Sequence, residues 1–286
     1  LLWNDNRIGI FLVLRHKITI KLPDQVPPAV AGSFTSLIPA FVIVLFWLLI
    51  YIFFDLTSHS TLTQWIYRVI QTPLQGMTDS FPGVLASAFL VPFLWFFGVH
   101  GSVIVSGILS PILQANALSN AAIFKAHGVV TAANGGHIFI QPLFDQFGTV
   151  TGAGMTIGVV VYMTFFARST QMRELGKLSI VPGFFNINEP TLFGLPIVLN
   201  PLLAIPFIIT PILSMTSTYF LIKIGILPYL TGVMVPWTTP PIISGFLIGG
   251  WQIAVWQFIV LFISFFIYWP FVKKYDGILY MQEQKI

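Results

Sequence analysis

Pro182-Gly183-Phe184-Phe185-Asn186-Ile187-Asn188-Glu189-Pro190-Thr191-Leu192-Phe193-Gly194 holds the only formal charge between Lys177 and Lys223. Around Glu189 the chain is built of Phe, Ile, Leu, Val, Pro and Gly. A carboxylate at membrane depth costs roughly 2.5–3.5 kcal/mol on insertion scales, so such a residue marks a functional site by default. The two asparagines and the prolines beside it argue for broken, polar backbone in apolar surroundings. A bilayer tolerates that only where the segment is buried in protein or lines a cavity.

Working outward, the rest of the chain has the same character. It is 56% hydrophobic and 8% charged, with mean hydropathy +0.88. A soluble domain is about a quarter charged, so a soluble fold is excluded on composition. Residues 25–54, 80–124 and 224–272 contain no Lys, Arg, Asp or Glu, and each exceeds the roughly 20 apolar residues that cross a bilayer. The 20 prolines and 23 glycines fall largely inside such stretches, which predicts discontinuous helices. The expected fold is all-α: a polytopic membrane protein with broken helices or re-entrant hairpins.

Spans are expected at 37–54, 84–105 (interrupted at 97–101), 150–167, 195–221 and 251–269, with a short span or half-crossing at 111–131. Residues 62–72 have mixed polarity and one apolar face, the pattern of an interfacial amphipathic helix. Irregular backbone is expected at 134–137, 141–148 and 237–241. Arg7, Arg15, Lys17 and Lys21 precede the first strong span, and Lys273, Lys274 and Lys285 follow the last. The positive-inside rule therefore puts both ends in the cytoplasm, with an even number of crossings between them.

Cysteine is absent, which excludes disulfides, thiolate metal sites and a cysteine nucleophile. The net charge of +4 flanks hydrophobic segments rather than forming a nucleic-acid patch. No phosphate loop, nucleophile elbow or zinc-protease helix is present.

Glu189 heads the candidate site. A carboxylate suits vicinal sugar hydroxyls, and it also serves as a general base or carries a coupling proton. The bland alternative is a structural glutamate partnered by Asn186 and Asn188. His100 is the only ionisable side chain in 80–124, with Gly98 and Gly101 leaving room for a ligand. Trp237 adjoins the polar Thr238-Thr239-Pro240-Pro241 bend and is the aromatic best placed to stack on a sugar. Gln141 and Asn134 are further polar contacts of low specificity. His127 and His137 sit in polar, loop-like sequence. Nothing in the histidine spacing resembles a ligand motif, so neither a metal nor another cofactor is expected.

These residues resemble a known family. The segment 182–190 is similar to the Asn-x-x-Glu-Pro region of enzyme IIC, the membrane subunit of the bacterial phosphotransferase system. Lys21-Leu22-Pro23-Asp24-Gln25-Val26-Pro27-Pro28-Ala29-Val30, Phe97-Gly98-Val99-His100-Gly101 and Pro236-Trp237-Thr238-Thr239-Pro240-Pro241 resemble its lactose/cellobiose/diacetylchitobiose branch. Members of that branch carry further N-terminal membrane helices, and this sequence starts at Leu1 rather than Met.

The resemblance implies the end of a dimer-forming interface domain at 1–60, an amphipathic linker at 61–80 and a sugar-binding transport domain at 81–286. It implies a homodimer in the bacterial cytoplasmic membrane that binds a β-linked disaccharide, with cellobiose favoured. A separate subunit, enzyme IIB, would phosphorylate the sugar from a phosphocysteine. It also implies that Glu189 binds the reacting hydroxyl with His100 close by, and that Asn186, Asn188, Gln141 and Trp237 line the site. A proton-coupled sugar transporter using Glu189 and His100 as a relay is the alternative. A membrane enzyme acting on lipid-linked sugars is disfavoured, because no carboxylate pair or basic cluster is present for a metal or diphosphate.

Overall fold

A computed structural model describes residues 37–58 and 79–284. The expected amphipathic helix at 62–72, the proline-rich segment 23–30 and the basic residues before it lie outside the described residues. The chain divides into two compact units, Leu1–Thr72 and Pro73–Ile286. Among the described residues every regular element is helical, and three helices are long and apolar enough to cross a membrane.

In the first unit, α1 (Leu37–Ser58) is apolar all round, with no charge before Asp55. That is the signature of a helix surrounded by lipid or protein rather than water.

The second unit opens with α2 (Phe81–Phe96), whose N-cap Ser80 accepts from the Gly83 amide at 3.4 Å. The span expected at 84–105 with an interruption at 97–101 is two helices that part at that interruption. α2 stops at Phe96, and α3 (Gly101–His127) begins after a turn with Gly98 at φ +78°. The helices close on each other where a Cβ on Gly101 would sit 2.1 Å from the Val91 carbonyl oxygen. Glycine is therefore obligatory at this approach. Nor is 111–131 a separate half-crossing: α3 runs through Pro111 for 27 residues. One face of α3 (Gly101, Val105, Leu109, Leu113, Ala117) is buried at four-residue spacing, which is helical periodicity.

The Gly-rich span expected at 150–167 is also absent. The chain turns back through α4 (Gln141–Leu143) and a π turn (Phe144–Gly148), then a left-handed loop, and α5 (Ile157–Phe165) is only nine residues long. After a turn come α6 (Thr170–Phe184), the short α7 (Glu189–Gly194) and α8 (Pro201–Lys223). Irregular chain leads to α9 (Ile243–Gly249), and α10 (Trp251–Glu283) runs 14 residues past the expected end at 269.

Irregular backbone at this depth needs partners, and polar side chains supply them. Asn120 donates to the carbonyls of His137 (2.8 Å) and Leu230 (3.0 Å) and accepts from the His137 amide (2.8 Å). Asp79 Oδ1 accepts from the amides of Ile138 and Phe139, both at 2.8 Å. Gln257 on α10 accepts from the amides of Ile242 and Gly245 and donates to the Gln146 carbonyl. Asp276, also on α10, accepts from the amides of Arg168 (2.8 Å) and Ser169 (2.9 Å) at the start of α6. Each of these four polar residues serves a defined gap in the backbone.

Candidate functional site

A cavity of about 620 Å³ lies within the second unit. The α2–α3 turn, α3 itself, the broken segment 141–153, the loop before α7 and the 235–237 strand-like connection all contribute wall residues. Glu189, His100, Trp237, Asn186, Asn188 and Gln141 all line it. Residues up to 137 positions apart in sequence are gathered because each sits where a helix is broken.

Glu189 is the first residue of α7, where a helix end favours negative charge. It lines the cavity and is exposed rather than buried. Its carboxylate has no hydrogen-bond or ion-pair partner among the described residues, and neither asparagine bonds it. The partnered, structural glutamate is thus not what folds here. His100 caps α3: its Nδ1 accepts from the Val103 amide at 3.3 Å. That contact fixes the tautomer, since a neutral ring with a lone pair on Nδ1 carries its proton on Nε2. The imidazole also packs on Trp95, ring centroids 4.4 Å apart, so its orientation is set from two sides.

The asparagines hold backbone. Asn186, itself left-handed at φ +64°, accepts from the Thr151 amide at 2.6 Å and donates to the carbonyls of Trp237 (2.6 Å) and Thr239 (2.8 Å). Asn188 donates to the Ala153 carbonyl (2.7 Å) and to Thr156 Oγ1 (3.1 Å). Both are buried. They knit the glutamate loop to the 149–156 turn and to the tryptophan connection.

Gln141, at 5% exposure, donates to Asp145 Oδ1 at 2.9 Å, while its own Oε1 has no partner. Asp145 lies in the π turn, outside the membrane-crossing helices, and burial pushes its carboxyl up to about 6, with the Gln141 hydrogen bond opposing.

The model of the family described as "Phosphotransferase system, EIIC" matches residues 9–211. The chain belongs to the phosphotransferase system EIIC family. It is 39% identical over 275 residues to the cellobiose-specific EIIC component of Geobacillus stearothermophilus, covering 95% of this chain and 60% of that one. It is 39% identical over 267 residues to the lichenan permease IIC component of Bacillus subtilis, covering 93% and 58%. Its fold is similar to the crystal structure of ChbC, the IIC component of an N,N′-diacetylchitobiose-specific phosphotransferase system. That match has TM-score 0.70 and 36% identity, and covers 98% of this chain and 64% of that one. The chain spans about three fifths of the length of these relatives.

Several walls of the EIIC cavity escaped the sequence reading. Trp95 lines it with a buried, unpartnered Nε1, but in sequence it was one aromatic among many. Asp145 sat in a segment read only as irregular. Ser102, Ser106 and Ser110 line the cavity too, and their four-residue spacing was a visible signal. Conversely, Asn134 does not reach it; it accepts from the Thr131 amide and donates to the Val129 carbonyl in a local turn. His137 pairs with Asp79 at 2.8 Å, and His127 ends α3. Among the described residues no three His, Cys, Asp or Glu side chains are placed to hold a metal.

Proposed function

We propose that this EIIC chain belongs to a multi-pass transporter that binds a β-linked disaccharide and delivers it for phosphorylation by a phosphocysteine on a separate enzyme IIB. The observation that carries this reading is that an unpartnered carboxylate, Glu189, and the oriented imidazole of His100 line one cavity. The names of the relatives, which specify cellobiose and lichenan, support a β-linked glucose disaccharide, with cellobiose the first choice.

In the reaction, the sulfur–phosphorus bond of the donor breaks as the sugar hydroxyl oxygen forms its bond to phosphorus. The hydroxyl proton passes to the Glu189 carboxylate, the free acceptor. His100, whose Nε2 carries hydrogen, donates to a sugar oxygen and orients the attacking hydroxyl. Trp237 covers one face of the ring, Gln141 and Asp145 accept from further hydroxyls, and Asn186 and Asn188 hold the loops that carry these groups. Positioning and charge management are what such a transfer requires. Cys is absent from these 286 residues, so the donor thiol lies outside them.

Residues 81–286 are read as the sugar-carrying domain, 61–80 as its linker, and 1–60 as the end of a domain through which the protein dimerises in the bacterial cytoplasmic membrane. The basic flanks put the C-terminus in the cytoplasm. The test is conversion of labelled cellobiose, diacetylchitobiose and lactose to sugar phosphate by cells expressing the full chain, with and without enzyme IIB and with Glu189→Gln. Product that disappears in both controls supports the reading. Free sugar accumulating without enzyme IIB overturns it in favour of proton-coupled transport.

A further inference from the structure

Ser102, Ser106 and Ser110 stand at four-residue spacing on α3, and all three line the cavity. At 1.5 Å rise per residue they form a hydroxyl ladder with steps of about 6 Å, leading away from His100 along the helix. The ladder lies one residue round from the stripe that packs α3 into the protein, which faces it into the open volume.

Helical hydroxyls in an apolar setting ordinarily bond back to a carbonyl one turn earlier. The threonines of α8 do so: Thr210 donates to the Pro206 carbonyl, Thr216 to that of Ile212 and Thr218 to that of Ser214, at 2.6–2.7 Å. On α3, Ser102 and Ser110 make no hydrogen bond among the described residues, and Ser106 makes one long contact of 3.4 Å to the Val103 carbonyl. An independent observation marks the same cavity. Gln141 is 95% buried, lines it, and leaves Oε1 without a partner. An acceptor buried without a partner is costly, and a ligand hydroxyl satisfies it.

We infer that Ser106 and Ser110, which line the same cavity as Gln141 and Asp145, form the subsite for the second pyranose ring and select disaccharides over single sugars. The inference rests on the proposed function and deepens it. The ring that reacts lies by Glu189 and His100, and the ring that identifies the substrate lies along the serines. Hydroxyl donors and acceptors share this cavity with an amide and a carboxylate, which suits a ring bearing several hydroxyls.

The test is binding of cellobiose and methyl β-D-glucoside to the purified full chain carrying Ser106→Ala and Ser110→Ala together. Alanine is the best helix former, so the fold is preserved. Cellobiose is expected to weaken by about tenfold, for two lost hydrogen bonds, while the glucoside changes less than about twofold. Unchanged cellobiose binding, or an equal fall for both sugars, overturns the inference. A second comparison uses Ser110→Thr against Ser110→Val, which match in volume and differ in the hydroxyl. Thr is expected to retain cellobiose affinity better than Val by roughly fivefold, and equal affinities overturn the subsite. Cellobiose binding that ignores the serines sinks only the subsite, whereas a chain that binds no β-linked disaccharide sinks the functional reading itself.

Discussion

Asn186 holds Trp237 by the main chain: its Nδ2 donates to the Trp237 carbonyl at 2.6 Å while its Oδ1 receives the Thr151 amide at 2.6 Å. One buried amide thus ties together the glutamate loop, the left-handed turn at 149–156 and the tryptophan connection. None of the three has a helical backbone to stabilise it at that point.

Asn186→Ala is therefore expected to act on site geometry more than on contact with sugar. It removes three hydrogen bonds and strands buried groups, a loss of about 3 kcal/mol. Thermal unfolding in detergent should show the lower midpoint, and isothermal titration should show weaker sugar binding. Asn186→Asp, which keeps the acceptor toward Thr151 but loses both donations, should fail as badly. An unaltered midpoint in Asn186→Ala would refute the tether.

Gly152 sits at φ +88°, and a Cβ there would lie 2.1 Å from Asn188 Cγ. Gly152→Ala should displace Asn188, the residue before Glu189, as well as strain the turn. The expected result is at least a tenfold loss of sugar affinity, measured by titration, from one methyl group set against Asn188.

Burial raises the Asp145 carboxyl to about 6. A ligand hydroxyl donating to it favours the ionised form, so sugar affinity should rise as pH increases through that value. The binding profile between pH 5 and 7 checks this, and Asp145→Asn should flatten the step. A wild-type profile with no step near pH 6 would remove Asp145 from the ligand shell.

Asp276 is buried, 1% exposed, and accepts from Tyr162 Oη as well as from the Arg168 and Ser169 amides. Asp276→Ala leaves two amides at the start of α6 without their carboxylate and should cost about 3 kcal/mol of stability. Thermal unfolding measures it. Protein that remains folded should bind sugar with little change, because Asp276 does not line the cavity.

Composition and punctuation by themselves determined the class of this protein. Charge-free stretches longer than a bilayer demand helices, and frequent prolines and glycines within them demand breaks. Glu189 and His100 were legible as the rare ionisable groups in such stretches, and Trp237 by its polar bend. Those inferences need only local chemistry, since desolvating a charge or an open amide costs the same wherever the chain later goes.

The tertiary structure alone decided how far each helix runs and what fills the breaks. Hydropathy cannot separate one interrupted span from two helices: the interruption expected at 97–101 is the junction of α2 and α3, but α3 runs on through 111–127, where a separate short span or half-crossing was expected. The same limit applies to 150–167, where half of an apolar, Gly-rich run is loop. The work of Asn186 and Asn188 was equally hidden. Their partners lie 32 to 53 residues away, and an amide beside a glutamate reads as a ligand until folding brings a carbonyl to it. Burial in a low-dielectric interior makes each unpaired backbone group seek whichever polar side chain the fold delivers. That choice of partners exists only in three dimensions.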